Sequence, residues 1–316
     1  MNIVNSQIIN ENFYQNTINS PISFNGVGIH GGKAVNMTLF PADDDFGIVF
    51  KRIDLDIDNY IKVNPENIDF SKYCSKLKNK HGVYVSTVEH FLATLHSLDI
   101  NNVLIEINSP ELPAMDGSSV EFTKRLIEVG LKSQKKPKKV LKIRQKVSVK
   151  EGTRSIKVLP SNNLSFSIEI NFSNNLIGKD QYVYTHNTQN FVDEICYART
   201  FCVSKDVSKL RAAGYGLGGN LNNAIVVEDN KILNDTGLRC TREFVKHKIL
   251  DCIGDFYMSG LPLLGSVYAT QPGHELNNKL LKKIFQNRNN YEIVDLNSYH
   301  MPISHQGNIL NNVNVA

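Results

Sequence analysis

The sequence predicts an α+β protein built as two similar domains, and three observations carry that expectation. A chain of 316 residues exceeds what one hydrophobic core usually serves. Both halves mix alternating, strand-like stretches with stretches of helical period. In each half a helix-like segment carrying histidine and acid residues runs through a turn into an apolar strand. The first pair is Glu89-His90, then Asp99-Ile100-Asn101-Asn102 before Val103-Leu104-Ile105-Glu106-Ile107; the second is His247-Asp251, then Gly260-Leu261-Pro262 before residues 263–269.

Residues 1–20 are rich in Asn, Gln and Ile, with no basic start and no apolar core, so neither a secretory leader nor an anchor is expected there. Gly26-Val27-Gly28-Ile29-His30-Gly31 fits G-x-G-x-x-G, but a dinucleotide loop must open a helix. Here Ala34-Val35-Asn36-Met37-Thr38-Leu39-Phe40 follows and alternates as a strand, so a tight turn is expected. Ser86-x-x-Glu89 and Ser118-x-x-Glu121 both read as helix-opening capping boxes, the second helix stopping at Gly130. The lysine-rich residues 132–150, interrupted by Pro137, mark the boundary. Domains are expected at 1–131 and 146–316, with a basic linker at 132–145. Beyond it, Ser165-Phe166-Ser167-Ile168-Glu169-Ile170 alternates as a strand, and Gly214, Gly216, Gly218 and Gly219 precede the strand-like Ala224-Ile225-Val226-Val227.

Composition narrows the function class. Apolar runs fall far short of the roughly 20 residues that cross a bilayer, so no membrane span is expected. The five cysteines are odd in number and form no C-x-x-C pair, which points to reduced thiols in the cytoplasm. A net charge of +4 is mild, and the basic stretch lacks the aromatics or module of a nucleic-acid binder. A zinc nucleobase deaminase would need a C-x-x-C that is absent.

His247 and Asp251, four apart on a helix, point the same way and can share one ion, with His90 as a third ligand. Three N and O ligands leave a tetrahedral position for water, the mark of a hydrolytic zinc, and Glu89 stands beside it as base. On helical wheels Val88, Phe91, Leu92 and Leu95 form an apolar stripe opposite His90. Val245, Ile249, Cys252, Ile253 and Phe256 form another opposite His247 and Asp251. Both ligand sets therefore leave their own cores, toward a cleft or toward plain solvent. The alternatives are a structural capping box at Glu89 and an exposed His247–Asp251 pair contributing roughly 0.3–0.5 kcal/mol.

Several blocks, in order, resemble one family: Gly26-Val27-Gly28-Ile29-His30, Ser86-Thr87-Val88-Glu89-His90, Met115-Asp116-Gly117-Ser118, Ala198-Arg199-Thr200-Phe201, His247-Lys248-x-x-Asp251-x-x-Gly254-Asp255, and Gly273-His274-x-Leu276-Asn277-Asn278. Over roughly residues 13 to 287 the chain resembles the UDP-3-O-acyl-N-acetylglucosamine deacetylases, zinc amidases of lipid A biosynthesis in Gram-negative bacteria. The resemblance implies two domains, each a β-sheet packed on two helices, with the active site between them. It implies Zn²⁺ on His90, His247 and Asp251, Glu89 as general base, and a pocket containing Thr200, Lys248, Asp255 and His274. In that pocket the Thr200 hydroxyl and the zinc hold the oxyanion, Lys248 places the substrate, and His274, kept cationic by Asp255, protonates the leaving amine. Phe201 is implied as a substrate contact, and an insert at residues 207–221 as the acyl-chain passage, with Val207, Leu210, Leu217 and Leu221 lining it. The partner so implied is UDP-3-O-acyl-N-acetylglucosamine, bound by a monomer. Asn16 stands where a basic residue is common in the family, and Cys74 where some members place a cysteine near the metal; a buried, idle thiol is the expectation there.

Overall fold

The computed structural model describes residues 13–296. Residues 1–12, most of the segment expected to lack a leader, lie outside the described residues, as do 297–316.

The first half is a sheet of β1 (Ile22–Val27), β2 (Ala34–Pro41), β3 (Ile48–Arg52), β4 (Tyr60–Lys62) and β5 (Val103–Ile107), with α1 (Glu89–Ser97) and α2 (Val120–Val129) on it. The predicted alternation in β2 is real: Val35, Met37 and Leu39 face the core while their neighbours point out. Helices and sheet meet through aromatics: Phe24 of β1 lies edge-on to Phe122 of α2, Phe122 to Phe91 of α1, and Phe91 tilts against Phe50 of β3, with centroids 5.0–6.4 Å apart. The glycine segment is the tight β1–β2 turn expected, closed by Gly28 N–H to Lys33 O. α2 stops at Gly130, whose φ of 74° suits glycine.

The second half repeats the first. It contains β6 (Val147–Glu151), β7 (Arg154–Leu159), β8 (Leu164–Asn171), β9 (Lys179–Thr185), β10 (Leu263–Thr270), and helices α3 (Ser204–Ala212), α4 (Glu243–Tyr257) and α5 (His274–Phe285). The strand order in the first sheet is β1-β2-β5-β3-β4 and in the second β6-β7-β10-β8-β9. The sense of every pairing is also the same: the central strand is antiparallel to one neighbour and parallel to the other. Each central strand lies between two helices in sequence, α1-β5-α2 and α4-β10-α5. The pattern of element types seen in the sequence is therefore a duplicated topology.

Two local expectations are corrected. Neither capping box forms: α1 opens without a side-chain cap, Ser86 Oγ instead donating to Pro110 O, and α2 begins after Ser119 while Ser118 Oγ donates to Asp116. The stretch expected as a basic linker, residues 132–145, is largely strand. Leu131–Pro137 pairs antiparallel with Tyr14–Ile18, and Lys139–Ile143 joins the second sheet beside the start of β10. Among the described residues no helix is long and apolar enough to cross a membrane.

The halves meet helix on helix. α1 packs against α4 so closely at Gly254 that a Cβ there would lie 1.8 Å from the Glu89 carbonyl oxygen. The Tyr257 hydroxyl of α4 donates to Ile100 O, just beyond α1, at 3.1 Å. The two outward-facing helix surfaces foreseen on the wheels thus bury each other.

Candidate active site

The chain entering α1 is bent sharply. Thr87 has φ of 58°, uncommon for a β-branched residue. It is held there by its N–H to Ser75 O at 2.9 Å and its hydroxyl to Glu111 at 3.1 Å. Glu111, buried, also accepts from the His30 and Gly31 N–H groups at 2.7 Å each, locking the β1–β2 turn to the same point. This bend makes Glu89 the first residue of α1 and turns Glu89 and His90 toward α4.

From α4, His247 and Asp251 face His90 as their spacing predicts. The Nε2 atoms of His90 and His247 are 3.0 Å apart, and Asp251 Oδ1 is 3.2 Å from the first and 3.4 Å from the second. Donors about 2.0–2.1 Å from one tetrahedral ion lie roughly 3.3 Å from one another. The triangle therefore fits a zinc-sized cation, and two imidazoles with a carboxylate are a donor set zinc accepts. Their ionisation fits too. Burial holds His247 well below its usual pKa, hence neutral. Burial alone would raise Asp251, but the cationic Lys248 and His274 beside it hold it well below the carboxylate range. A neutral imidazole and an ionised carboxylate are the forms that bind metal. Lys248 Nζ reaches Asp251 Oδ2 at 2.8 Å and lies 5.5 Å over the Phe201 ring, which itself stands edge-on to His247.

On the other flank, Glu89 Oε2 accepts the Ser75 N–H at 3.0 Å, leaving Oε1 3.6 Å from His274 Nε2. His274, at the first position of α5, places Nδ1 3.1 Å from Asp255 Oδ2. Burial alone would lower the His274 pKa; the carboxylates of Asp255, Glu89 and Asp251 outweigh it and push it up to about 10. Burial raises Glu89, against the pull of His274 and His90.

The structure thus brings together His90, His247, Asp251, Lys248, Glu89, Asp255, His274 and Phe201. Thr200 sits half-buried one residue before Phe201, its N–H on Gly117 O of the first half. The four aliphatic residues stand apart from any core. Val207 and Leu210 lie on α3, which buries none of its residues, and Leu217 and Leu221 are 54% and 47% exposed. The loop after α3 reaches the β1–β2 turn, Leu217 N–H to His30 O at 3.1 Å. Cys74 is buried, and its thiol, raised to about 11 by burial and then by Glu89, stays protonated. Two further contributors were given no role from the sequence: Ser75, and Asn277 of the Gly273–Asn278 block, which donates to Asp255 Oδ2 at 2.7 Å.

Comparison with known proteins matches residues 15–286 to the family described as UDP-3-O-acyl N-acetylglycosamine deacetylase. A protein of Campylobacter hominis named UDP-3-O-acyl-N-acetylglucosamine deacetylase is 42% identical over 282 residues, covering 89% of this chain and 95% of the relative. Proteins of the same name from Pasteurella multocida and Actinobacillus pleuropneumoniae are each 42% identical, with 89% of this chain and 92% of each relative covered.

Proposed function

The chain belongs to the UDP-3-O-acyl N-acetylglycosamine deacetylase family, and from that premise we propose that it hydrolyses the N-acetyl group of UDP-3-O-acyl-N-acetylglucosamine, using zinc, as a step of lipid A biosynthesis in the cytoplasm. The products are acetate and UDP-3-O-acyl-glucosamine. The observation that carries the reading is the triangle of His90, His247 and Asp251 donors, with a buried carboxylate and a buried histidine cation against it.

His90, His247 and Asp251 would hold the ion. Zinc, when bound, supplies a Lewis acid for the amide carbonyl and lowers the pKa of a water to about 7. Glu89 takes the proton of the attacking water on Oε1, the oxygen that Ser75 leaves free. Its raised pKa brings this base nearer neutral pH, where proton transfer is most effective. The Thr200 hydroxyl donates to the carbonyl oxygen as negative charge develops there. His274, held by Asp255 at Nδ1, presents Nε2–H to the same space and gives its proton to the departing nitrogen. Lys248 is fixed by Asp251 at the site's edge, where its charge suits the substrate diphosphate. Phe201 walls the pocket beside His247, and Val207, Leu210, Leu217 and Leu221 offer apolar surface to the acyl chain.

Acetate release from UDP-3-O-acyl-N-acetylglucosamine, measured before chelation, after it, and on zinc return, tests the reading. Activity lost and then restored by zinc is the expected result. A folded protein inactive at every metal loading overturns it.

A further inference from the structure

Ser75 stands in the first half, just ahead of the short strand Lys76–Lys78, and is fully buried. Every polar group it has is engaged. Its N–H donates to Glu89 Oε2 at 3.0 Å, its carbonyl accepts from Thr87 N–H at 2.9 Å, and its hydroxyl donates to Asp255 Oδ1. Its Oγ also lies 3.4 Å from His274 Nδ1. Asp255 and His274 belong to the other half, 180 and 199 positions away in sequence.

We propose that Ser75 is a positioning residue for both members of the acid–base pair; this rests on the deacetylase reading above. The main chain of Ser75 orients the base. By taking one Glu89 oxygen, its N–H fixes the carboxylate plane and leaves Oε1 toward His274. The side chain orients the acid. Ser75 has one hydroxyl proton, and it goes to the Asp255 carboxylate, so an oxygen lone pair is left facing His274 Nδ1. Nδ1 then faces three acceptor oxygens, two from Asp255 and one from Ser75, which assigns a proton to Nδ1. The ring is thereby set with Nε2 toward Glu89. With Asn277 on its second oxygen, Asp255 is clamped from both sides and cannot swing away with the ring. One residue thus sets the separation of a base carried by α1 from an acid carried by α5.

The test compares Ser75→Ala, Ser75→Thr, Asp255→Asn and the Ser75→Ala/Asp255→Asn double variant, each zinc-loaded, in acetate-release kinetics with metal content and melting temperature measured alongside. Outer-shell partners of this kind are worth about 10- to 100-fold. Ser75→Ala should lower kcat by that factor, with KM and zinc content unchanged within about twofold. Ser75→Thr, which keeps the hydroxyl, should recover most of kcat. Because Ser75 works through Asp255, its replacement should cost little further in the Asp255→Asn background. A folded Ser75→Ala enzyme with normal kcat, a Ser75→Thr enzyme as slow as Ser75→Ala, or losses that simply multiply in the double variant would each overturn the proposal. An inactive wild-type enzyme would strike instead at the deacetylase reading.

Discussion

Gly254 is where a single methyl group should separate folding from function. It sits in the middle of α4, where glycine costs a helix about 1 kcal/mol relative to alanine, so on propensity alone Gly254→Ala is stabilising. Packing reverses the sign. The new Cβ would lie 1.8 Å from the Glu89 carbonyl oxygen, 2.6 Å from its carbonyl carbon and 2.9 Å from its Cα, all backbone atoms that no rotamer can move. To reach ordinary contact, at about 3.5 Å, α1 must retreat from α4 by more than an ångström. Overpacking of this kind typically costs about 1–3 kcal/mol, which cancels the propensity gain and leaves a modest net loss. The catalytic cost is larger. α1 carries Glu89 and His90, whose Nε2 is 3.0 Å from that of His247, so the retreat opens the donor triangle and withdraws the base. A displacement of that size is worth about 100-fold in rate. Thermal unfolding, zinc content by atomic absorption, and acetate release together make the assay. The expected profile is a folded protein, a few degrees less stable, with weakened zinc retention and activity down about 100-fold. Gly254→Ala with normal zinc affinity and a rate within a few-fold of wild type would refute the claim that this contact sets the spacing of the two halves.

Glu89→Gln should bind zinc as tightly as wild type and lose turnover by at least about 100-fold, the scale of general-base catalysis, since the three donors His90, His247 and Asp251 are untouched while the proton acceptor is gone. Asp251→Ala should lose zinc and activity together, measured by metal content after dialysis, because it removes one of the three donors and also strips Lys248 of its partner. His274 stays cationic until pH approaches about 10, so kcat should hold through neutral pH and fall as pH rises through that value. Asp255→Asn removes the foremost carboxylate raising it and should bring that falling limb downward. The sign for stability follows from the same shift. Folding holds the proton more tightly than the unfolded chain, whose histidine titrates near about 6.5, so the contribution is complete below that pH and is lost toward about 10.

The convergence of His247 and Asp251 was legible because its rule is local: four residues on a helix return to one face. β2, β5, β8 and β10 were legible because each has one wet and one dry face, or a plainly apolar run. The strand Leu131–Pro137 carried no signal because none of its residues is buried, so its lysines show no alternation. The Ser86-x-x-Glu89 pattern was present, but the left-handed turn at Thr87 directs Ser86 to Pro110 and gives Glu89 to Ser75. Ser75 itself carried no signal, being a loop serine whose hydroxyl meets Asp255 and His274 only when the halves dock. The exposure of Leu217 and Leu221 was likewise hidden, since an aliphatic residue in a sequence reads as core.

The donors of the metal triangle come from helices whose histidines are 157 positions apart, one on each half of a duplicated topology. That separation orders events during synthesis. A chain emerging from the ribosome displays His90 long before His247 and Asp251 exist, and one imidazole cannot hold an ion against cellular competitors. Each half must finish its own sheet, and α1 and α4 must meet across Gly254, before three donors converge. On the zinc reading proposed above, metal capture would follow the docking of the two halves, because a half-folded chain offers no three-donor site.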